Sequence, residues 1–450
     1  LQLFDVYTSV WFSAIYILLF VSLIGCVVPR SFAHATALRQ KPVQTPKNLS
    51  RMPVHVAVVP AIQDLPEGDS SPAKSSPIEF LNRAEAELRK ARYRVRRFED
   101  SVSAERGYSR ETGNLVFHLS LVGLLIAVGL GGGLSFNGQR VLVEGETFVN
   151  NLAGYDSFSP GVLFDESQLR GFSLTLEKFE VSYDLNNIEN RGIPIDFRAT
   201  VLSRASAGAD PKSAVIRVNE PLETEGGNVY LTGNGFAPVV TIRDGEGNIA
   251  FSGPTPFLPQ DGNMTSLGII KVPDAVPTQI GIISFFYPTA EKLESDAYTS
   301  IYTDPFIPLL TMNVNVGDLG LDEGIPRNVY ALDTSELTQV AGRDADVPGL
   351  ELEPGETLDL PNGIGTVTFD GLRRFASLDV AYNPGQVWVL VFAMIALAGL
   401  VASLLIPRRR IWVKTTPEGF EVAGLARGDD PKLQQAVTQL ADSIENGRND

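Results

Sequence analysis

LVFHLSLVGLLIAVGLGGGL, residues 115–134, contains a histidine but no Asp, Glu, Lys or Arg. A helix needs about 20 predominantly apolar residues to cross a bilayer. Two other stretches qualify: WFSAIYILLFVSLIGCVV (11–28) and VWVLVFAMIALAGLVASLLI (387–406), again without a formal charge. A helix buried in a soluble protein rarely stays apolar on every face. The three stretches therefore predict membrane spans, and they divide everything else in the chain.

The flanks orient the spans. A secretory signal carries its positive charge before the apolar core. Here only Asp5 precedes the first stretch, while Arg30, Arg39 and Lys41 follow it. This predicts a retained span with a cytoplasmic C-terminal end. Residues 29–114 hold 15 Lys and Arg against 10 Asp and Glu, whereas residues 135–386 hold 15 against 35. The positive-inside rule then places 29–114 and the tail that opens with Arg408, Arg409 and Arg410 in the cytoplasm. It places 135–386 outside. The net charge of −16 over 450 residues is thus a mixture of a basic inner part and an acidic outer part.

The predicted organisation follows. Residues 1–10 form an outer juxtamembrane segment, 11–28 a span, 29–114 a basic cytoplasmic loop and 115–134 a span. Residues 135–386 form an extracytoplasmic domain, 387–406 a span, and 407–450 a cytoplasmic hairpin with a C-terminal helix. In the inner loop, VHVAVVP (54–60) reads as a strand and Asp64 to Pro77 as a flexible, Ser/Pro/Gly-rich loop. Ile78 to Lys90 has helical spacing, with Phe80, Leu81, Ala84 and Leu88 on one face. RYRVRRF (92–98) is a basic strip suited to anionic membrane lipid or, alternatively, to an acidic ligand. No nucleic-acid-binding motif accompanies it, so no nucleic-acid partner is expected.

The outer segment reads differently. RVLVEGE (140–146), SLTLEKFEVSY (173–183), IGIISFFYP (280–288) and LTMNVNVGD (310–318) alternate with period two, and RDGEGN (243–248) is a hairpin signal. No long helix is evident. In the tail, IWVKTTPEGFEVAGLAR (411–427) resembles a hairpin. A helix follows, with Asp430 as N-cap, Pro431 at its first position, and Leu433, Val437, Leu440 and Ile444 as its apolar stripe. The fold class is a multi-pass α-helical membrane protein with a large extracytoplasmic all-β, sandwich-like domain and small α+β cytoplasmic elements.

Few residues can carry chemistry. The single cysteine, Cys26, excludes an intramolecular disulfide framework, a CxxC pair and a cysteine zinc site. It lies near the inner end of the first span, where it is either a small apolar filler or a contact to a ligand. The histidines are His34 and His55 in the inner loop and His118 inside the second span. None lies in 135–386, so an outer domain without His or Cys supplies neither a histidine ligand nor a reducing thiol. A titratable group within a span is costly and marks a candidate site. His118 is either an axial ligand to haem iron, a role neutral imidazole suits, or a histidine bonded to a neighbouring helix or reaching to the interface. Gly129 and Gly133 have the small-xxx-small spacing of close helix packing.

Several segments together resemble the ResB family, the β-rich subunit of the System II cytochrome c assembly machine. They are FDVYTSVWFSAIYILLFVSLIGCVVPR (4–30), AERGYSRETGNLVFHLSLVGLL (104–125), VNEPL (218–222), GNGFAPVVTIRD (233–244), YNPGQVWVL (382–390) and RRRIWV (408–413). The resemblance covers nearly the whole chain in order. It departs by a missing first span, which implies that sequence precedes Leu1, and by Phe375 and Asn383 where Trp and Asp are expected. It implies a partner of the ResC/CcsA membrane-protein type, apocytochrome c as client, and haem b as the cofactor transported with that partner. A thiol-reducing, thioredoxin-like protein is a further implied partner. His118 would be an axial ligand to the haem iron, with Cys26 a second contact, and no residue of this chain is assigned as catalytic. The implied role is a subunit of a holocytochrome c synthase that carries haem across a bacterial cytoplasmic membrane, or a thylakoid membrane. The rival readings are a scaffold or chaperone that binds no haem, and a membrane-anchored sensor, for which no signalling module is recognisable.

Overall fold

The computed structural model describes residues 6, 9–59, 76–184, 192–321 and 330–446. Most of the expected flexible loop Asp64–Pro77, and most of segment 1–10, lies outside them. The chain forms two compact units: Leu1–Gly132 with Gly385–Asp450, and Gly133–Pro384.

Among its described residues the first unit has five α-helices: α1 (Val10–Arg39), α2 (Pro77–Lys90), α3 (Ser109–Gly133), α4 (Gln386–Leu405) and α5 (Leu433–Asn446). Helices α1, α3 and α4 are long and apolar enough to cross a membrane. Their side chains explain that composition: Leu18, Leu130 and Leu405 are exposed, as lipid-facing residues must be. Helix α3 approaches α4 closely at Gly113 and Gly399, where a Cβ on Gly399 would lie 2.7 Å from the Gly113 carbonyl oxygen. Gly129 of the expected small-residue pair instead faces the Tyr16 ring of α1.

Helix α1 differs from its expected span. It ends at Arg39 and not at Val28. After Pro29 the apolar run ends, but SFAHATALR keeps three alanines and no helix breaker, so helix propensity outlasts hydrophobicity. The proline removes one backbone donor from the helix interior without ending it. His34 is therefore on a helix and not in a loop.

The rest of this unit is a five-stranded antiparallel sheet in the order Val54–Val58, Gly419–Arg427, Arg408–Thr416, Ser101–Arg106, Arg94–Arg97. The two strands of the 411–427 hairpin occupy its centre, so the tail completes a sheet begun before α3. Phe80, Leu81, Ala84 and Leu88 of α2 and Val437, Ala441 and Ile444 of α5 bury against it. Helix α2 starts with a capping box in which Ser76 and Glu79 satisfy each other's backbone amides. Helix α5 starts at Leu433, not at Pro431. Asp430 caps the preceding turn through the Lys432 amide (3.2 Å).

The second unit is β-rich, with no α-helix among its described residues. Its spine is a ribbon of two 18-residue strands, Gly227–Asp244 and Gly365–Tyr382, paired antiparallel along nearly their whole length. The RDGEGN turn forms as expected. Asp244 accepts hydrogen bonds from the amides of Glu246 and Asn248, and the chain returns as strand Ile249–Pro254. Those amides hold the Asp244 carboxyl below its usual pKa, against the upward pull of its own desolvation.

The ribbon serves two cores. Phe236, Val240, Ile242, Val367 and Phe369 join one core with the sheet containing Ile280–Tyr287 and Leu309–Val316. Val229, Leu231, Ala376, Leu378 and Val380 join another with the sheet containing Ser173–Tyr183 and Pro194–Arg204. Bulges at Leu231/Gly233 and Val239/Val240 interrupt the register between the two ends, where bulges add twist. Two sandwich-like halves thus share one pair of strands.

Candidate functional site

Helices α1 and α3 run antiparallel. The Tyr16 hydroxyl donates to the Leu125 carbonyl near one end, and His34 meets Thr112 near the other. Toward the His34 end the two helices line a cavity of about 520 Å³. Helix α1 contributes Val27, Arg30, Ala33, His34 and Ala37, which share one face at spacings of three and four. Helix α3 contributes Glu111, Asn114, Leu115 and His118 by the same rule. The alanines leave the room. Arg408 and Arg427, from the central hairpin of the sheet, close the charged end.

His118 is half-buried in this wall. Its Nδ1 lies 2.7 Å from the Asn114 carbonyl oxygen, one helical turn back. A carbonyl only accepts, so Nδ1 carries the proton, and a neutral ring then presents an unprotonated Nε2. Among the described residues Nε2 has no hydrogen-bond partner. The neighbouring Phe117 ring stands edge-on, 5.1 Å away between centroids. The arrangement supplies a lone pair on an oriented imidazole, able to accept a proton or ligate a metal ion.

The other end of the cavity is polar. His34 is nine-tenths buried, with Nε2 2.9 Å from the Thr112 hydroxyl and Nδ1 3.9 Å from Glu111. Its Nδ1 has no hydrogen-bond partner among the described residues. Glu111 also pairs with Arg408 and with Arg427, the latter at 2.9 Å. Behind it, Glu105 is almost fully buried and holds Arg410 (2.8 Å), Arg408 (3.3 Å) and the Tyr108 hydroxyl. Burial alone would raise the pKa of Glu105, but the Tyr108 hydrogen bond and the two guanidinium groups bring it below the usual carboxylate range. The Tyr108 hydroxyl moves up, by burial and by donating to that carboxylate. Arg409 makes a bidentate pair with Asp430 at 2.5 and 2.9 Å, which lowers the pKa of that carboxyl. The Arg408–Arg410 triplet therefore has a structural role, each guanidinium being held by a carboxylate.

The two sequence candidates, His118 and Cys26, separate in space. Cys26 is exposed on α1 and does not line the cavity, although its neighbour Val27 does. His55 lies on strand Val54–Val58 with Nε2 3.7 Å from Glu421, as part of the sheet. His34, Arg30, Glu111 and Arg427 were not singled out by sequence reasoning as site residues. Continued over 29–39, the i, i+3, i+7, i+10 series Val27, Arg30, His34, Ala37 would have found the first two. No cluster of three or more metal-ligating side chains exists among the described residues.

Comparison with known proteins gives the chain its family. A family profile described as "ResB-like family" matches residues 1–438. A cytochrome c biogenesis protein CcsB of Synechococcus sp. (strain RCC307) is 24% identical over 450 residues, covering 99% of this chain and 84% of that protein. Its namesake in Synechococcus sp. (strain CC9311) is 29% identical over 247 residues, 55% of this chain and 49% of that protein. The CcsB of Prochlorococcus marinus (strain MIT 9313) is 30% identical over 235 residues, 51% of this chain and 46% of that protein. With 438 of 450 residues inside the family profile, the chain belongs to the ResB-like family.

Proposed function

We propose that this chain is a membrane subunit of a cytochrome c biogenesis complex that carries haem across the membrane and presents it for covalent attachment to apocytochrome c. The observation that carries the reading is the His118 imidazole, held through Nδ1 by the Asn114 carbonyl in the wall of a cavity between two membrane helices. Imidazole held through its other nitrogen is the usual way a protein orients an axial haem ligand. Family membership and the names of the relatives support the pathway. A cavity of this size suits a cofactor-sized ligand.

Haem is the cargo here and not a resident group. Val27, Ala33, Ala37 and Leu115 would exclude water along the macrocycle, and His118 would hold the iron. The second iron ligand would come from a partner membrane protein of the ResC/CcsA type. The β-rich unit, which lies outside the cytoplasm in this reading, has no histidine and no cysteine. Its part in this account is to hold the client or the partner by surface, and the ligation chemistry belongs to the partner. The large unit also favours a second reading, a scaffold or chaperone that binds no haem.

One comparison separates the readings. In cells producing this chain with its natural partner, His118→Ala should lower both the haem co-purified with the complex and the yield of holocytochrome c. Unchanged haem and yield in that variant, with a loss on truncating the β-rich unit, would make the chain a scaffold.

A further inference from the structure

The cavity is polarised, and its polarity matches one ligand orientation. Glu111 and His118 are seven residues apart on α3, so about 10 Å separates their levels along the helix axis. That is comparable with the reach from a haem iron to its own propionate carboxylates. At the Glu111 level the wall carries Arg408 and Arg427, both paired with that carboxylate, and Arg30 stands one helical turn along α1 from His34. An adjoining recess of about 310 Å³ shares Arg408 and Arg427 and adds Arg410. Arg30 has no ion pair or hydrogen bond among the described residues, and Arg427 is largely exposed with Glu111 as its one ion-pair partner. The buried, unpartnered Nδ1 of His34 lies at the same level.

We infer that this basic rim is the receptor for the two propionates of haem, with Arg30 and Arg427 as the carboxylate-binding residues, so that haem stands edge-on between α1 and α3 with its iron deep at His118. The inference rests on the proposed role of His118 and deepens it by fixing the direction of the ligand. Four cations, Arg30, Arg408, Arg410 and Arg427, against the two carboxylates of Glu105 and Glu111 leave an excess of two positive charges, equal to the charge of two ionised propionates. Guanidinium groups suit planar, bidentate recognition of carboxylate. The excess charge lies at the end of the helices that the positive-inside rule assigns to the cytoplasm, so haem would meet the chain carboxylates outward from the cavity and iron inward.

The test uses the full chain with its partner, in nanodiscs of zwitterionic lipid. Three ligands are titrated by absorbance and fluorescence: haem, haem dimethyl ester, which keeps iron but not the carboxylates, and iron-free protoporphyrin, which keeps the carboxylates but not iron. Arg30→Gln and Arg427→Gln should each weaken haem and protoporphyrin by about tenfold to a hundredfold and leave the dimethyl ester unchanged. His118→Ala should abolish the iron–imidazole band with haem and leave protoporphyrin affinity nearly intact. If the arginine variants weaken ester and free acid alike, or neither, the rim is not a propionate receptor. If His118→Ala leaves the haem band intact while the arginine variants behave as stated, the propionate site stands and the iron assignment falls. Repeating the titration in nanodiscs containing anionic lipid gives the remaining arm. Loss of native haem affinity there, absent in Arg30→Gln, would assign the rim to lipid headgroups and overturn the proposal.

Discussion

The two units bury their polar groups in opposite ways. The β-rich unit packs aromatic residues into two cores around a shared ribbon, with Phe236, Phe257, Phe286 and Phe369 fully buried in one of them. Its acidic charge stays at the surface, apart from turn residues such as Asp244. The other unit buries a charged network beneath its membrane helices. Glu105 and Asp430 have side chains only 3% and 4% exposed and are held by consecutive arginines. It also carries all three histidines and the cysteine. A unit that must hold a shape can do so with apolar area. A unit that must hold charge next to a lipid-facing span needs each charge paired, because an unpaired buried charge costs far more than a pair contributes. In the proposed account the chemistry belongs to the smaller part, with its three long apolar helices, and recognition to the larger.

Substitutions can sharpen or break that contrast. The largest effect is expected in the aromatic core. Phe286→Ala should cost the β-rich unit about 3–5 kcal/mol, seen as a lower thermal midpoint and early proteolysis within 133–384. Haem retained at His118 should be unaffected, and a matching loss of haem would deny the separation of roles. Glu105→Gln comes next. It keeps the shape but removes the charge shared by Arg408 and Arg410, at a cost of about 1–3 kcal/mol, measured as detergent-melting of the membrane unit.

Acid should act on the same network. The folded pKa values of Glu105 and Asp430 lie below their ordinary ones. Their stabilisation is therefore complete above the unfolded carboxylate value, near 4. It is lost as pH falls through that value to the lower folded one. Melting of the membrane unit should fall over that window in the native chain and less steeply in Glu105→Gln. The smallest effect belongs to Ser76→Ala, which removes the α2 cap and should cost about 1 kcal/mol, with no effect on haem.

Local chemistry was legible in the sequence. The three long apolar helices, the α2 face, the 411–427 hairpin, the RDGEGN turn and the lone histidine of α3 follow from composition and period. What escaped depends on contacts across long sequence separation. The pairing of Gly227–Asp244 with Gly365–Tyr382, and the division of one β segment into two cores, are set by register between strands more than a hundred residues apart. Period two marks a strand but not its partner. The cavity escaped for a simpler reason. The apolar run stops at Val28 while the helix runs on to Arg39, so Arg30 and His34 read as loop residues although they face Glu111 and His118. Cys26, equally visible in sequence, sits on another face of the same helix.

The central claim is that His118 presents Nε2 to iron. The most direct measurement is the absorbance spectrum of the complex purified with its partner, comparing the native chain, His118→Gly, and His118→Gly with added imidazole. The account predicts that the haem bands are lost in the variant and return with imidazole, because the cavity left by the side chain admits the free ligand. Bands that persist unchanged in His118→Gly would contradict it, and would leave the haem wholly to the partner.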